Sequence, residues 1–386
     1  MNWTIGTTSE FTAEPAPGGA RFAASREEPV SSNSSPVTAP ATVSPVKPSV
    51  QGAVPTPQWA SVFDHYLANV PGGYAWAAGL NGAKVDSGAW GYARMPQDTA
   101  DGQGIPFTTD SRCNLASVSK TLTAAAVFKA IQEGRIASVN DLVWPYLQSL
   151  YPTLVPAAGV GTVTISELLT MMSRLPENGT LYTENSMSAD EFVGLYLEAN
   201  PLIESQLYVY SNTNFTILQA LVDSVCAEQG SSQDYVTWIQ SEILARLKID
   251  LSTFSPTPDP PDSATLSYDP ENPTEKGYYW PEMQCIGPGG WISSANSLLT
   301  YLMGFRQGRA LPFPLVQFMT TCLLGWYPGG TTYGVAYHHN GGLTTGDGRG
   351  LSTGVVRFPN GYDAVLVSNK PTDDIIGVML EAFDAS

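Results

Sequence analysis

An α/β fold of the α+β kind is predicted: an antiparallel sheet flanked by helices, built from both chain ends, with an inserted all-helical domain between them. Three observations predict it. A hairpin signature opens the folded part, a second lies near the C-terminus, and the span between them is dominated by helical patterns.

The folded part begins near Gln58. Trp59, Val62, Phe63 and Tyr66 recur at helical spacing, which predicts a first helix over residues 59–67. Residues 74–80 and 83–90 read as strands, and Asn81-Gly82 between them supplies the positive φ of a tight turn. At the far end, residues 354–358 and 362–367 flank Pro359-Asn360-Gly361 in the same way, and a helix over 373–383 closes the chain. In the middle, residues 121–133 are Ala-rich and stop at Gly134, a C-cap signal. Further helices are expected over 164–172, 189–197, 214–226, 235–247 and 294–305.

Residues 1–56 read as a disordered Pro/Ser/Ala-rich segment, because repeated prolines remove backbone donors and few aromatics are available to bury. Residues 57–386 read as the folded domain: 57–112 and 287–386 form its α/β part, and 113–286 its mostly helical part. With 43% hydrophobic residues the chain can bury a large core. Its formal net charge of −17 repels phosphate backbones and anionic lipid, so nucleic acid and membrane surfaces are poor partners. No apolar run is long enough for a transmembrane helix. Met1 to Ile5 carry neither a basic n-region nor an apolar h-region, so no signal peptide is visible; the compartment and oligomeric state stay open. Cys113, Cys226, Cys285 and Cys322 are widely spaced and read as small buried hydrophobes rather than disulfides. Asn2, Asn33, Asn178 and Asn214 open N-x-[ST] sequons, a pattern common by chance.

The chemistry centres on Ser117-Val118-Ser119-Lys120. Residues three apart at a helix start share a face, so the lysine amine reaches the serine hydroxyl. A desolvated lysine can act as the base that a serine nucleophile needs, and the apolar run that follows, residues 121–128, provides a buried setting for it. S-x-x-K alone is a common pattern. A second copy, Ser44 to Lys47, lies among prolines that forbid a helix, and is inert. Gly350-Leu351-Ser352-Thr353-Gly354 matches a nucleophile elbow, but a strand follows where a helix is needed and no histidine lies downstream. Only His65, His338 and His339 exist, which argues against a Ser-His-Asp triad; adjacent His338 and His339 rarely face one ion, so no metal and no cofactor is expected.

Two more elements complete a pattern: Tyr210-Ser211-Asn212 in a turn before a helix starting near Phe215, and His339-Asn340-Gly341-Gly342 ahead of the terminal strands. S-x-x-K, Y-x-N and H-x-G in this order resemble the serine β-lactamase and penicillin-binding-protein superfamily, in its class C-like branch of serine carboxylesterases, D-aminopeptidases and transesterases. The resemblance runs from about residue 58 to the end and includes Ser173-Arg174-Leu175-Pro176, with Arg174 where glycine is usual, and Pro288-Gly289-Gly290-Trp291.

The resemblance implies a β-lactamase/transpeptidase-like fold and a covalent acyl-enzyme. Ser117 is then the nucleophile, with Lys120 and Tyr210 handling protons. Backbone N–H groups of Ser117 and Gly342 form the oxyanion hole, and Asn212, His339, Asn340 and Gly341 contact substrate. Histidine in place of the usual lysine gives up a permanent charge for binding carboxylates. Met171, Met172, Tyr182, Tyr278, Tyr279, Trp280 and Trp291 are expected around the pocket rim. The implied function is a carboxylesterase-like serine hydrolase acting on a small-molecule ester or amide. The alternatives are a transesterase or acyltransferase, a D-aminopeptidase or amidase, and a weak class C-like β-lactamase; from another class, a catalytically silent binding module.

Overall fold

The computed structural model describes residues 20–21, 56–68, 70–177, 187–203, 208–227 and 233–385. Its strands are β1 (Ala20–Arg21), β2 (Gly73–Leu80), β3 (Ala83–Arg94), β4 (Ile105–Pro106), β5 (Cys113–Asn114), β6 (Phe254–Ser255), β7 (Ile292–Ser293), β8 (Tyr327–Thr331), β9 (Gly334–Thr345), β10 (Gly350–Arg357) and β11 (Tyr362–Ser368). Its α-helices are α1 (Trp59–Leu67), α2 (Ser119–Gln132), α3 (Trp144–Leu147), α4 (Ile165–Leu169), α5 (Ala189–Ala199), α6 (Asn212–Ala227), α7 (Tyr235–Ile239), α8 (Ile286–Gly289), α9 (Ala295–Arg306), α10 (Phe313–Thr321) and α11 (Ile375–Asp384).

The main sheet is antiparallel in the order β1-β9-β10-β11-β2-β3-β4, with β8 also pairing with β9. β11 pairs with β2, Leu366 opposite Trp76, so the hairpins from the two chain ends join into one sheet. The first hairpin turns at Asn81 and Gly82, both at positive φ (52° and 80°), the backbone that the Asn-Gly pair favours. On one face α1 and α11 pack an aromatic-rich layer: Trp59, Phe63, Trp76, Phe358 and Phe383 are buried together, and the Phe358 and Phe383 rings stack at 4.3 Å. Burying each such side chain contributes about 1.5–3 kcal/mol. A larger core on the other side spans α2, α6 and α9 and runs on to Val355, Val365 and Val367 of the sheet. A small sheet in the order β5-β7-β6 ties the segment just before Ser117 to the segment after α8.

Several elements differ from expectation for local reasons. The helix expected over 164–172 ends at Leu169, because Met171 takes a left-handed φ of 60°. The one expected over 235–247 is α-helical only to Ile239 and continues as a wider turn and then a tighter one. Helix α6 begins at Asn212 rather than near Phe215, since Ser211 Oγ accepts the Asn214 N–H at 3.3 Å and caps the helix earlier. His339 to Gly342 precede the two terminal strands as expected and themselves lie in a strand, β9, while β10 starts at Gly350 rather than Gly354. Trp291 is fully buried in the core, where its indole N–H donates to Tyr235 Oη at 3.1 Å, and it is not a rim residue. All four cysteines are free; Cys322 is exposed and the other three are buried. Asn214 is buried, which closes that sequon to modification. Ala20–Arg21 pairs with Thr344–Thr345 at the sheet edge. Ser44 to Lys47, the other three sequon asparagines and Tyr182 lie outside the described residues. Among the described residues no helix is long and apolar enough to cross a membrane.

Candidate active site

The Ser117 turn is built by short-range bonds. Leu115 N–H donates to Trp291 O (2.7 Å), Ala116 N–H to Asn114 Oδ1 (2.6 Å) and Val118 N–H to Leu115 O (3.1 Å). Ala116 has φ of 45°, a left-handed conformation that costs a residue with a Cβ about 1–2 kcal/mol. The residue is fully buried against Trp280, Leu343 and Leu351, which holds it there. A tight turn over Ala116–Val118 then runs straight into α2, setting Ser117 and Lys120 one turn apart.

Every residue of α2 from Ser119 to Ala130 is buried, Lys120 included, so its amine is desolvated. Lys120 Nζ lies 2.9 Å from Ser117 Oγ, 2.7 Å from Asn212 Oδ1 and 2.7 Å from the Pro288 carbonyl oxygen. Burial holds its pKa well below the ordinary lysine value, with Glu177 pulling the other way. A neutral amine has two N–H bonds and one lone pair. Asn212 Oδ1 and Pro288 O can only accept, so they take the two N–H bonds and leave the lone pair for the Ser117 hydroxyl. On the other side Tyr210 O–H donates to Ser117 Oγ at 2.5 Å, and Lys120 Nζ sits 4.9 Å from the centre of the Tyr210 ring. Ser117 remains 9% exposed and so reachable.

Strand β9 passes directly beside this group. A Cβ on Gly341 would lie 2.4 Å from Leu115 O and 2.9 Å from the Ser117 amide nitrogen, so only glycine lets the strand approach. Gly342, the next residue, meets no such obstruction. His339 is buried and its Nδ1 lies 2.6 Å from Asn340 O; a carbonyl only accepts, so Nδ1 carries the proton. Burial, with Lys120 adding to it, pushes the ring's pKa down to about 3 and keeps the imidazole neutral. Its Nε2 is therefore a buried lone pair, and it has no partner among the described residues. Strand alternation turns the Asn340 side chain to the opposite face from His339, so Asn340 meets this ring through its backbone carbonyl. Ser352 lies in mid-strand on β10, opposite Gly342, and accepts the Thr372 N–H at 2.9 Å.

Two contributors were missed from sequence. Pro288 enters through a backbone carbonyl, for which a side-chain pattern holds no signal. Glu177, directly after the Ser173–Pro176 loop, accepts Ser211 O–H at 2.7 Å and Thr213 O–H at 3.2 Å at the N-terminus of α6, where a carboxylate suits the helix dipole. The acid next to that loop was the available clue. Arg174, standing where the resembled pattern has glycine, sits at φ of 63°, which explains the preference for glycine there.

The fold matches known structures at low identity. The D-amino acid amidase from Ochrobactrum anthropi SV3, complexed with D-phenylalanine, aligns with TM-score 0.66 and 18% identity over 84% of this chain and 96% of that one. A D-stereospecific amidohydrolase from Streptomyces sp. aligns with TM-score 0.63 and 20% identity over 84% and 98%. The penicillin-binding protein from Bacillus halodurans aligns with TM-score 0.62 and 17% identity over 83% and 97%. No curated protein matches the sequence. The family model described as Beta-lactamase matches residues 59–377, which is most of the chain, and the protein therefore belongs to that family of serine-hydrolase fold.

Proposed function

We propose that the protein is a serine hydrolase working through a covalent acyl-enzyme, with carboxylic esters of small or medium acyl groups as its substrates. The observation that carries this reading is the buried Lys120 Nζ 2.9 Å from Ser117 Oγ, with two pure acceptors, Asn212 Oδ1 and Pro288 O, at 2.7 Å; in the neutral amine these take both N–H bonds and leave the lone pair for Ser117.

Ser117 Oγ attacks the carbonyl carbon as its proton passes to Lys120 Nζ. The oxyanion forms between the backbone N–H groups of Ser117 and Gly342. As the C–O bond breaks, Tyr210 O–H gives its proton to the leaving oxygen. The lysinium and tyrosinate that remain stabilise each other. Water then loses a proton to Tyr210, and the hydroxide attacks the acyl carbon. Lys120 returns its proton to Ser117 Oγ as the acid departs, and the enzyme is restored.

A neutral His339 with its lone pair buried supports esters over β-lactams, because a β-lactam carboxylate would meet a second acceptor there rather than a cation. A panel of p-nitrophenyl esters, D-amino acid amides and a chromogenic cephalosporin tests the reading. The expected result is kcat/KM for p-nitrophenyl butyrate orders of magnitude above that for the cephalosporin. Equal rates, or no turnover together with no fluorophosphonate adduct, would overturn it.

A further inference from the structure

Beside the catalytic group lies an apolar cavity of about 330 Å³, lined by Leu169, Met171, Leu323, Trp326, Tyr327 and His339. Tyr208 and Cys322 also border it, both exposed, and Tyr208 Oη is 2.9 Å from Tyr327 Oη. The cavity is continuous with the site along the chain. Tyr208 precedes Tyr210 by two residues, Val209 N–H donates to Met171 O, and His339 precedes Gly341 on β9 by two. With Tyr208 two residues before Tyr210 and His339 close enough to Lys120 to feel its charge, the cavity neighbours the Lys120–Tyr210 side of the catalytic group.

That side has a chemical meaning. The group that protonates the departing oxygen must stand next to the leaving group, so the side of Tyr210 is the leaving-group side. The walls are mainly apolar, with the paired Tyr208 and Tyr327 hydroxyls and Thr170 among them. Two buried polar atoms of the lining residues have no partner among the described residues: the donor Trp326 Nε1 and the acceptor His339 Nε2, whose tautomer is fixed by the bond from Nδ1–H to Asn340 O. An acceptor in an apolar wall favours a ligand that brings a donor.

We propose that this cavity is the leaving-group subsite, selecting an uncharged, mainly apolar alcohol portion, on the order of ten non-hydrogen atoms, that carries an O–H or N–H donor for His339 Nε2. The inference rests on the acyl-enzyme reading above and adds the identity of the alcohol. By microscopic reversibility the same alcohols would be the preferred acyl acceptors where water is scarce.

The test holds the acyl group constant as acetyl and varies the alcohol: ethyl, 2-phenylethyl, 2-(4-hydroxyphenyl)ethyl, 2-(4-methoxyphenyl)ethyl and 2-(4-carboxyphenyl)ethyl acetates. We expect kcat/KM to rise from ethyl to 2-phenylethyl, to rise roughly a further tenfold with the phenol hydroxyl, and to fall for the methoxy and carboxylate members. In His339→Phe the ratio of hydroxyl to unsubstituted ester should drop to about one. Wild-type enzyme gives a check that needs no variant: free 2-(4-hydroxyphenyl)ethanol should inhibit at lower concentration than 2-phenylethanol. Ester turnover with no dependence on the alcohol, or equal inhibition by the two alcohols, overturns the subsite alone. Absence of turnover for all five esters, with Ser117 unlabelled by a fluorophosphonate, overturns the hydrolase reading and the subsite with it.

Discussion

Asn212 Oδ1 lies 2.7 Å from Lys120 Nζ, so a side chain 92 residues further along the chain takes one of the lysine's N–H bonds. A carbonyl there accepts one N–H from a neutral amine without demanding a charge. A carboxylate in the same place would favour lysinium. Asn212→Asp should therefore lower kcat/KM by at least about 100-fold at pH 7, with partial recovery as the pH is raised; Asn212→Ala should show no such recovery. Steady-state pH profiles of the two variants check this.

Tyr210 and Lys120 both touch Ser117 Oγ but are assigned different protons. Tyr210→Phe should leave the serine able to react with a fluorophosphonate, whose fluoride leaves without needing a strong acid, while ester turnover falls by about 10²–10⁴-fold. Ser117→Ala should abolish both. An adduct on Ser352 in the wild-type protein, found by peptide mass spectrometry, would contradict the assignment.

The pH profile of wild-type kcat/KM should carry one acid limb, from protonation of Lys120, placed below the ordinary lysine range because burial lowers that pKa. His339 should add no inflection between pH 5 and 8, since its pKa is pushed down to about 3. Comparing wild type with His339→Phe in that window measures this directly: the shapes of the curves should agree even where their heights differ.

Stability should depend on Asp223. Burial, with Asp190 beside it and Asp234 contributing, raises its pKa from 3.8 to about 7, while Tyr235 N–H bonds to it. A carboxyl whose folded pKa is raised binds more protons when folded than when unfolded between these two values. Stability from this group is therefore full below about pH 4, is lost as the pH rises through 7, and stays lost above. Asp223→Asn keeps an acceptor oxygen and removes the charge. It should raise stability at pH 8 by on the order of 2 kcal/mol, with little gain at pH 4. Urea unfolding at the two pH values measures the difference.

Arg174 offers a conformational test. At φ of 63° a Cβ is strained, and among the described residues the guanidinium's one ion-pair approach is to Glu167, at 4.0 Å. Arg174→Gly should relieve about 1–2 kcal/mol of strain against the greater unfolded-state freedom of glycine, about 0.5–1 kcal/mol, for a small net gain in Tm. Arg174→Val should lower Tm, because a β-branched residue tolerates that backbone least.

What could be read from sequence was local or ordered. The Asn81-Gly82 turn, the burial of residues 119–130 and the pairing of Ser117 with Lys120 each depend on neighbours within a few positions. Strand β8 was not foreseen because Tyr-Pro-Gly-Gly-Thr carries a proline and two glycines, which an edge strand tolerates and a hydrophobic-alternation pattern does not reveal. Helix α10 was hidden by Pro312 and Pro314 at its start, where proline in fact suits the first turn. The cavity beside His339 draws its walls from four separate stretches of chain, and no one of them has a signature of its own.

The pairing of β11 with β2 also governs how the protein is made. The β2–β3 hairpin, which starts at Gly73, leaves a ribosome long before its partner strand β11, which starts at Tyr362. At about 5–20 residues per second, synthesis leaves the β2 edge unsatisfied for tens of seconds. Throughout that interval it presents the backbone template and the apolar side chains, Tyr74 and Trp76 among them, from which intermolecular pairing starts. Production in a cell should accordingly be limited by aggregation of nascent chains, and respond more to slower expression or holdase chaperones than to any gain in the stability of the finished fold.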